Sequence, residues 1–171
     1  MINLNNNEYH PFYQTYIDVL KDNTMGIIEN LEDSYVKAEK LLNDLDSEKQ
    51  MYQYAPGKWT IKEVIQHLSD AERVFNYRAL RIARNDAIGL DGFDQNNFVL
   101  NSNANERNFR SLKKEFFALR KNTIYLYQSF SDKIFMQKGR VGSNNMSVRA
   151  LGYITSGHLL HHLNVINNKY L

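Results

Sequence analysis

Three observations predict an all-α chain, an antiparallel four-helix bundle with extra short helical or loop segments. Apolar residues recur every three or four positions along four long stretches. Helix-start signals open these stretches, and polar connections rich in Gly and Asn separate them. No segment carries more than a marginal strand pattern. With 171 residues, 43% of them hydrophobic, the chain can bury one substantial core, so residues 1–171 are expected to form a single domain.

The first helical segment is predicted over residues 11–21, with Phe12, Tyr16, Val19 and Leu20 as its apolar stripe. Pro11 suits the first turn, where it has no N–H to leave unpaired. Asn23 and Thr24 read as a break and a cap. Residues 25–45 follow, with Ile27, Ile28, Leu31, Tyr35, Ala38, Leu41, Leu42 and Leu45 on one face. Residues 47–58 connect, ending in the turn pair Pro56 and Gly57. Thr60 and Glu63 form a capping box that opens a helix running to about residue 84. Its core face is Ile61, Ile65, Leu68, Phe75, Ala79 and Ile82, and His67 lies beside that stripe, facing inward or toward a cleft. Residues 85–105 are the least regular, the kind of loop that rims a site. A further long helix is expected from residues 105–106, capped by Asn105 and continuing through Phe109, Leu112, Phe116, Leu119, Thr123, Leu126 and Phe130. Residues 139–145 read as a turn or short hairpin, after which Ser147 caps a final helix over 148–169. Four long amphipathic helices joined by loops imply the bundle.

Composition narrows the function. The absence of cysteine removes disulfides, thiolate catalysis and cysteine-type structural zinc, and it fits a reducing cytoplasm. Residues 1–7 are polar and unlike a signal peptide, and no apolar run is long enough to span a bilayer. A cytoplasmic protein with no membrane partner is expected. The net charge of +2 comes from 21 basic and 19 acidic residues. Arg73, Arg78, Arg81 and Arg84 cluster on one predicted helix, and Arg107, Arg110, Lys113 and Lys114 on another. Asp70, Glu72, Asp86, Glu106 and Glu115 are interleaved with them, so both groups read as solvated faces and nucleic acid is not an expected partner.

The chemistry concentrates in histidine. Three of the five histidines, His158, His161 and His162, fall within five residues on the last predicted helix. Positions four apart share a helix face, so His158 and His162 can aim two imidazoles at one point. His158 can equally pair with His161 at three apart. The best third ligand elsewhere is His67. Three imidazoles leave a coordination position open on a divalent metal, and water bound there has its pKa lowered toward neutrality. The plainer alternative makes His67 a hydrogen-bonded core residue and the others members of an exposed face. Asp70 and Glu72 lie within about a turn of His67 as carboxylates that orient an imidazole, or else face solvent or pair with Arg73. Asp94 reaches the site mouth or caps a helix; Arg149 anchors an anion or pairs with a carboxylate. Trp59 and Tyr153 read as packing residues.

Residues 57–75, GKWTIKEVIQHLSDAERVF, resemble the first block of the DinB-like superfamily, and residues 147–166, SVRALGYITSGHLLHHLNVI, resemble its last. Gly92, Phe93 and Asp94 resemble the family's intervening loop. The resemblance spans nearly the whole chain in the right order. It implies a four-helix bundle, often a homodimer, with a divalent metal held by three histidines. Carried onto this chain, the ligands are His67, His158 and His162, with His161 a neighbour. Zinc or nickel are the first candidates for the ion. The resemblance leaves three functions open. The first is hydrolysis of a small molecule by metal-activated water. The second is transfer by a low-molecular-weight thiol of the bacillithiol type. The third is a non-catalytic metal-binding or interaction module.

Overall fold

The computed structural model describes residues 4, 5, 7–86 and 89–171. Parts of two stretches read above, the polar N-terminus (residues 1–3 and 6) and the irregular loop (residues 87 and 88), lie outside the described residues. Pro11 opens a 3-10 turn, Pro11–Tyr13, capped by the His10 ring, and α1 (Gln14–Asp18) continues it. The predicted first helix is therefore cut short. The Leu20 N–H turns back to the Ile17 carbonyl (2.9 Å) as Leu20 dives into the core. The next helix, α2 (Ile27–Asn43), takes its cap at Gly26, whose N–H donates to Glu29 Oε2 at 2.7 Å. Asn23 works one step earlier, accepting from the Met25 N–H and donating to Asn30.

The turn at Gly57, with φ +75, leads to α3 (Ile61–Ala83). Here the capping box forms as predicted: Glu63 N–H donates to Thr60 Oγ1 (3.1 Å), and Thr60 N–H to Glu63 Oε2 (2.8 Å). Asp94 caps a short α4 (Gln95–Leu100) inside the loop read as irregular. Then α5 (Phe109–Gln128) begins three residues later than predicted, because Asn108 caps it. Asn105 is taken elsewhere, accepting from the Thr60 hydroxyl (2.6 Å) and donating to Glu63 (3.0 Å), which pins the loop to the start of α3. After α6 (Asp132–Phe135), strands β1 (Lys138–Val141) and β2 (Asn144–Ser147) form an antiparallel ribbon with Lys138 opposite Ser147. Leu90 bridges to its edge at Val141. Ser147 caps α7 (Val148–Val165) through the Ala150 N–H, and a π turn, Ile166–Tyr170, ends the chain's regular structure.

The long helices α2, α3, α5 and α7 make the four-helix bundle, α2 and α3 each packing on both α5 and α7. Two helices run each way. The N-terminal halves of α2 and α7 meet the C-terminal halves of α3 and α5 in one hydrophobic cluster, and the opposite halves meet in a second. Consequently α3 lies parallel to α5 and antiparallel to α7. A helix of 23 residues is roughly 34 Å long, and an extended chain needs about ten residues to travel back along it. The connection 84–108 is long enough to do so.

A polar layer separates the two clusters. Arg120 of α5 is 1% exposed and reaches every other long helix. Its Nε and Nη2 donate to Glu72 Oε2 of α3 (3.1 and 2.8 Å), and its Nη1 donates to Ser34 Oγ of α2 (2.9 Å). Nη2 also approaches the Thr155 carbonyl of α7 (3.4 Å). Thr123 donates to the other Glu72 oxygen. The predicted α5 stripe holds at Phe109, Leu112, Phe116, Thr123 and Phe130, while Arg120 and Tyr127 are buried where Leu119 and Leu126 were expected.

Candidate metal centre

The antiparallel contact of α3 with α7 sets His67 opposite His158 and His162. His67 Nε2 lies 3.0 Å from His158 Nε2, and one ring nitrogen from each of the three falls within 4.8 Å of the others. The ring centroids are 4.7 to 5.0 Å apart. His67 and His158 are buried, and His162 is partly exposed. Of the pairings open to His158, it is His162, one turn on, that shares its point of convergence. His161 is rotated about 100° from His162 on the helix. It packs against Tyr16 (5.5 Å between centroids) and stays outside the group.

Aromatic rings wall the cluster. Trp59 lies 4.8 Å from His67, while Tyr16 and Phe75 lie 4.9 and 5.7 Å from His158. Burial pushes His67 down from its ordinary 6.5 to about 4. Burial, then repulsion from the neighbouring imidazoles, holds His158 and His162 well below that value. All three are therefore neutral near pH 7, the form in which imidazole ligates a metal.

Two cavities open on the cluster from different sides. One, of about 280 Å³, is lined by His67 and His158 with Tyr13, Phe93, Arg78 and Asp94. The other, of about 290 Å³, is lined by His161 and His162 with Tyr54, Lys58, Trp59 and Asn96. Residues 94–96, at the start of α4, contribute to both walls.

The carboxylates expected near His67 are engaged elsewhere. Asp70 accepts from Gln66 (2.9 Å) and pairs with Arg73. Glu72 is neither solvated nor paired with Arg73; it is buried on Arg120, because its position on α3 faces the bundle interior. Asp94 does both things foreseen for it, rimming the first cavity and capping α4. Arg149 pairs with the buried Glu8, which also accepts from Ser147. Trp59 packs as predicted, on His67, and Tyr153 packs against the N-terminal core cluster. Two functional-looking arginines escaped the sequence reading. Arg78 is buried beside the first cavity, not solvated with its neighbours on α3, and Arg120 is buried in the polar layer. A signal for Arg78 existed: eleven residues after His67 is about three turns, within roughly 20° of the same helix face.

A helical bundle with three converging histidines at one helix pair is the class that fold and site define. A family model of the DinB superfamily matches residues 30–166, and the chain belongs to that superfamily. The fold is also that of YfiT from Bacillus subtilis, described as a probable metal-dependent hydrolase with an unusual four-helix bundle topology. The TM-score is 0.73 at 14% identity, over 97% of this chain and 90% of that one. Comparison with the curated proteins gives no match. Among the described residues, no helix is long and apolar enough to cross a membrane.

Proposed function

We propose that the chain is a single-domain, metal-dependent hydrolase of a small molecule, with His67, His158 and His162 as the ligands of a divalent ion. The observation that carries this reading is the convergence of three neutral, largely buried imidazoles from two helices. The donor set fits such an ion. Two nitrogens on one tetrahedral zinc lie roughly 3.3 Å apart, close to the 3.0 Å between His67 and His158, and a ring nitrogen of His162 lies within 4.8 Å of both. When bound, the ion supplies Lewis acidity and an activated water. Tyr16, Phe75 and Trp59 shield the imidazoles from bulk solvent and limit their rotation. Asp94, the one carboxylate among the described residues lining the cavity shared by His67 and His158, stands at its rim with Oδ1 already accepting two backbone N–H groups. The relative's description as a metal-dependent hydrolase supports the choice of reaction.

A second reading, transfer by a low-molecular-weight thiol, is favoured by the two cavities that meet at the cluster, one for each of two reactants. The test is elemental analysis of freshly purified protein. Wild type and His161→Ala should carry near-stoichiometric metal, and His67→Ala, His158→Ala and His162→Ala should each lose it. Wild type that stays empty after incubation with zinc, nickel and manganese would sink both enzymatic readings. Hydrolytic and thiol-dependent substrate screens of the loaded protein then separate them.

A further inference from the structure

We infer that Arg78 is an anion-recognition residue of the cavity shared by His67 and His158, and that the ligand of this cavity carries a carboxylate or phosphate group. The inference rests on the reading above for which cavity is reactive; binding of the anion does not require the metal.

Buried charge is the starting observation. Arg78 is 2% exposed, yet no carboxylate lies within ion-pair distance of its guanidinium among the described residues. The other arginine buried among the described residues, Arg120, is neutralised by Glu72, and the half-buried Arg149 is neutralised by Glu8. Among the described residues Arg78 has only neutral acceptors: the Asp91 carbonyl, 2.6 Å from Nη2, and the Tyr13 hydroxyl, a long 3.4 Å from Nη1. Those two bonds leave most of the five guanidinium N–H donors unused. Phe93 lies under the guanidinium carbon, 5.7 Å from its ring centroid, and offers only a cation–π contact. A buried charge left without a counter-charge is costly, and a protein normally meets it with an opposite charge. The planar fork of arginine is matched to carboxylate and phosphate oxygens.

Position points the same way. Arg78 lines the cavity along one stripe of α3 with His67, Ala71 and Phe75. Side chains on a helix lean toward its N-terminus, so Arg78 leans toward His67. The two Cα atoms are about 16 Å apart along the axis, from a 1.5 Å rise per residue. Once both side chains extend, the ligand between them is several atoms long, its acid end at Arg78 and its reacting bond at the imidazoles. The remaining charged or titratable lining groups are Tyr13, Tyr16, His158 and Asp94. Asp94 is exposed at the rim and already committed to capping α4, so it does not neutralise Arg78.

The test is calorimetric titration of the chelator-treated chain with succinate, inorganic phosphate and the neutral succinamide. Wild type should bind at least one of the two anions and not the amide, and the stronger anion identifies the acid group. Arg78→Gln should weaken that binding by about tenfold or more, with Arg78→Lys between the two. Arg84→Gln, an exposed position at the C-cap just past the same helix, should match wild type. Metal content of Arg78→Gln should equal that of wild type. Succinamide binding as well as succinate, or a folded Arg78→Gln binding both anions like wild type, would overturn the inference. The succinate–succinamide comparison uses wild type alone, so it decides even if the variants fail to fold. Arg78-dependent anion binding by a chain that takes up no metal would leave this inference standing and the metal reading fallen.

Discussion

Gly157 immediately precedes His158 on α7, and a Cβ added there would collide with the backbone carbonyl of Tyr16. The glycine lets α1 lie directly on α7, and that contact delivers the Tyr16 ring to His158 and His161. Gly157→Ala gains intrinsic helix propensity, worth about 1 kcal/mol. It also forces backbone apart, and overpacking of this kind costs about 1–3 kcal/mol. The net expectation is a lower Tm and faster amide exchange across residues 14–18. An unchanged Tm with unchanged exchange would contradict the close-approach argument. Sequence alone marks a mid-helix glycine as costly but not why it is kept, since Tyr16 lies far away in the chain. Arg78 is the same kind of case. It sat among arginines that looked solvated, and only the fold of the loop around Asp91 shows that it is enclosed.

Elements were legible where a signal was local. The Thr60–Glu63 capping box, Pro11 at a helix start and the Ser147 cap need residues only a few positions apart, and each stands as read. Asn105 and Asn108 are both plausible caps by residue type; the long-range bond from Thr60 decides between them. On α5, Arg120 and Tyr127 take core positions expected of Leu119 and Leu126, while Thr123 and Phe130 are buried as expected; an arginine in a core register looks like an interruption. In the bundle it ties α5 to α2, α3 and α7. Arg120→Met alone strands the Glu72 carboxylate in the core and should cost about 3–5 kcal/mol by urea unfolding. Adding Glu72→Gln removes the orphaned charge, so the double variant should lose less than the two single variants summed. Strict additivity would show that the pair does not act as a unit.

The whole molecule is expected to be acid-sensitive in two steps. The folded-state pKa of His67 falls from 6.5 to about 4, with His158 and His162 lowered in the same direction, so the unfolded chain takes up protons first. Their contribution is complete above about pH 6.5 and is lost as pH falls toward 4, on the order of 3 kcal/mol for His67 alone. Glu8 follows at lower pH. Hydrogen bonds from Arg149 hold its carboxyl at about 2 instead of 4.5, so its stabilisation is present above pH 4.5 and disappears as pH falls toward 2. Thermal melts of the metal-free chain should show Tm dropping through both windows. Glu8→Gln should remove only the lower step. A Tm that stays flat from pH 7 to 5 would refute the burial of neutral histidines.

Local residue order determined the helical class, most caps, and the placing of His158 and His162 on one face, because helix geometry depends on neighbours three and four apart. Blocks at residues 57–75 and 147–166 also carried the resemblance to the DinB superfamily, to which the chain belongs. Tertiary structure alone decided that α3 runs beside α5 in the same direction and beside α7 in the opposite one. It set His67 against His158 across 91 residues and left His161 aside. It also gave Arg120 a buried carboxylate and left Arg78 with none among the described residues. These outcomes depend on which faces meet when whole helices pack, and that information is spread over the entire core and absent from any short window of sequence.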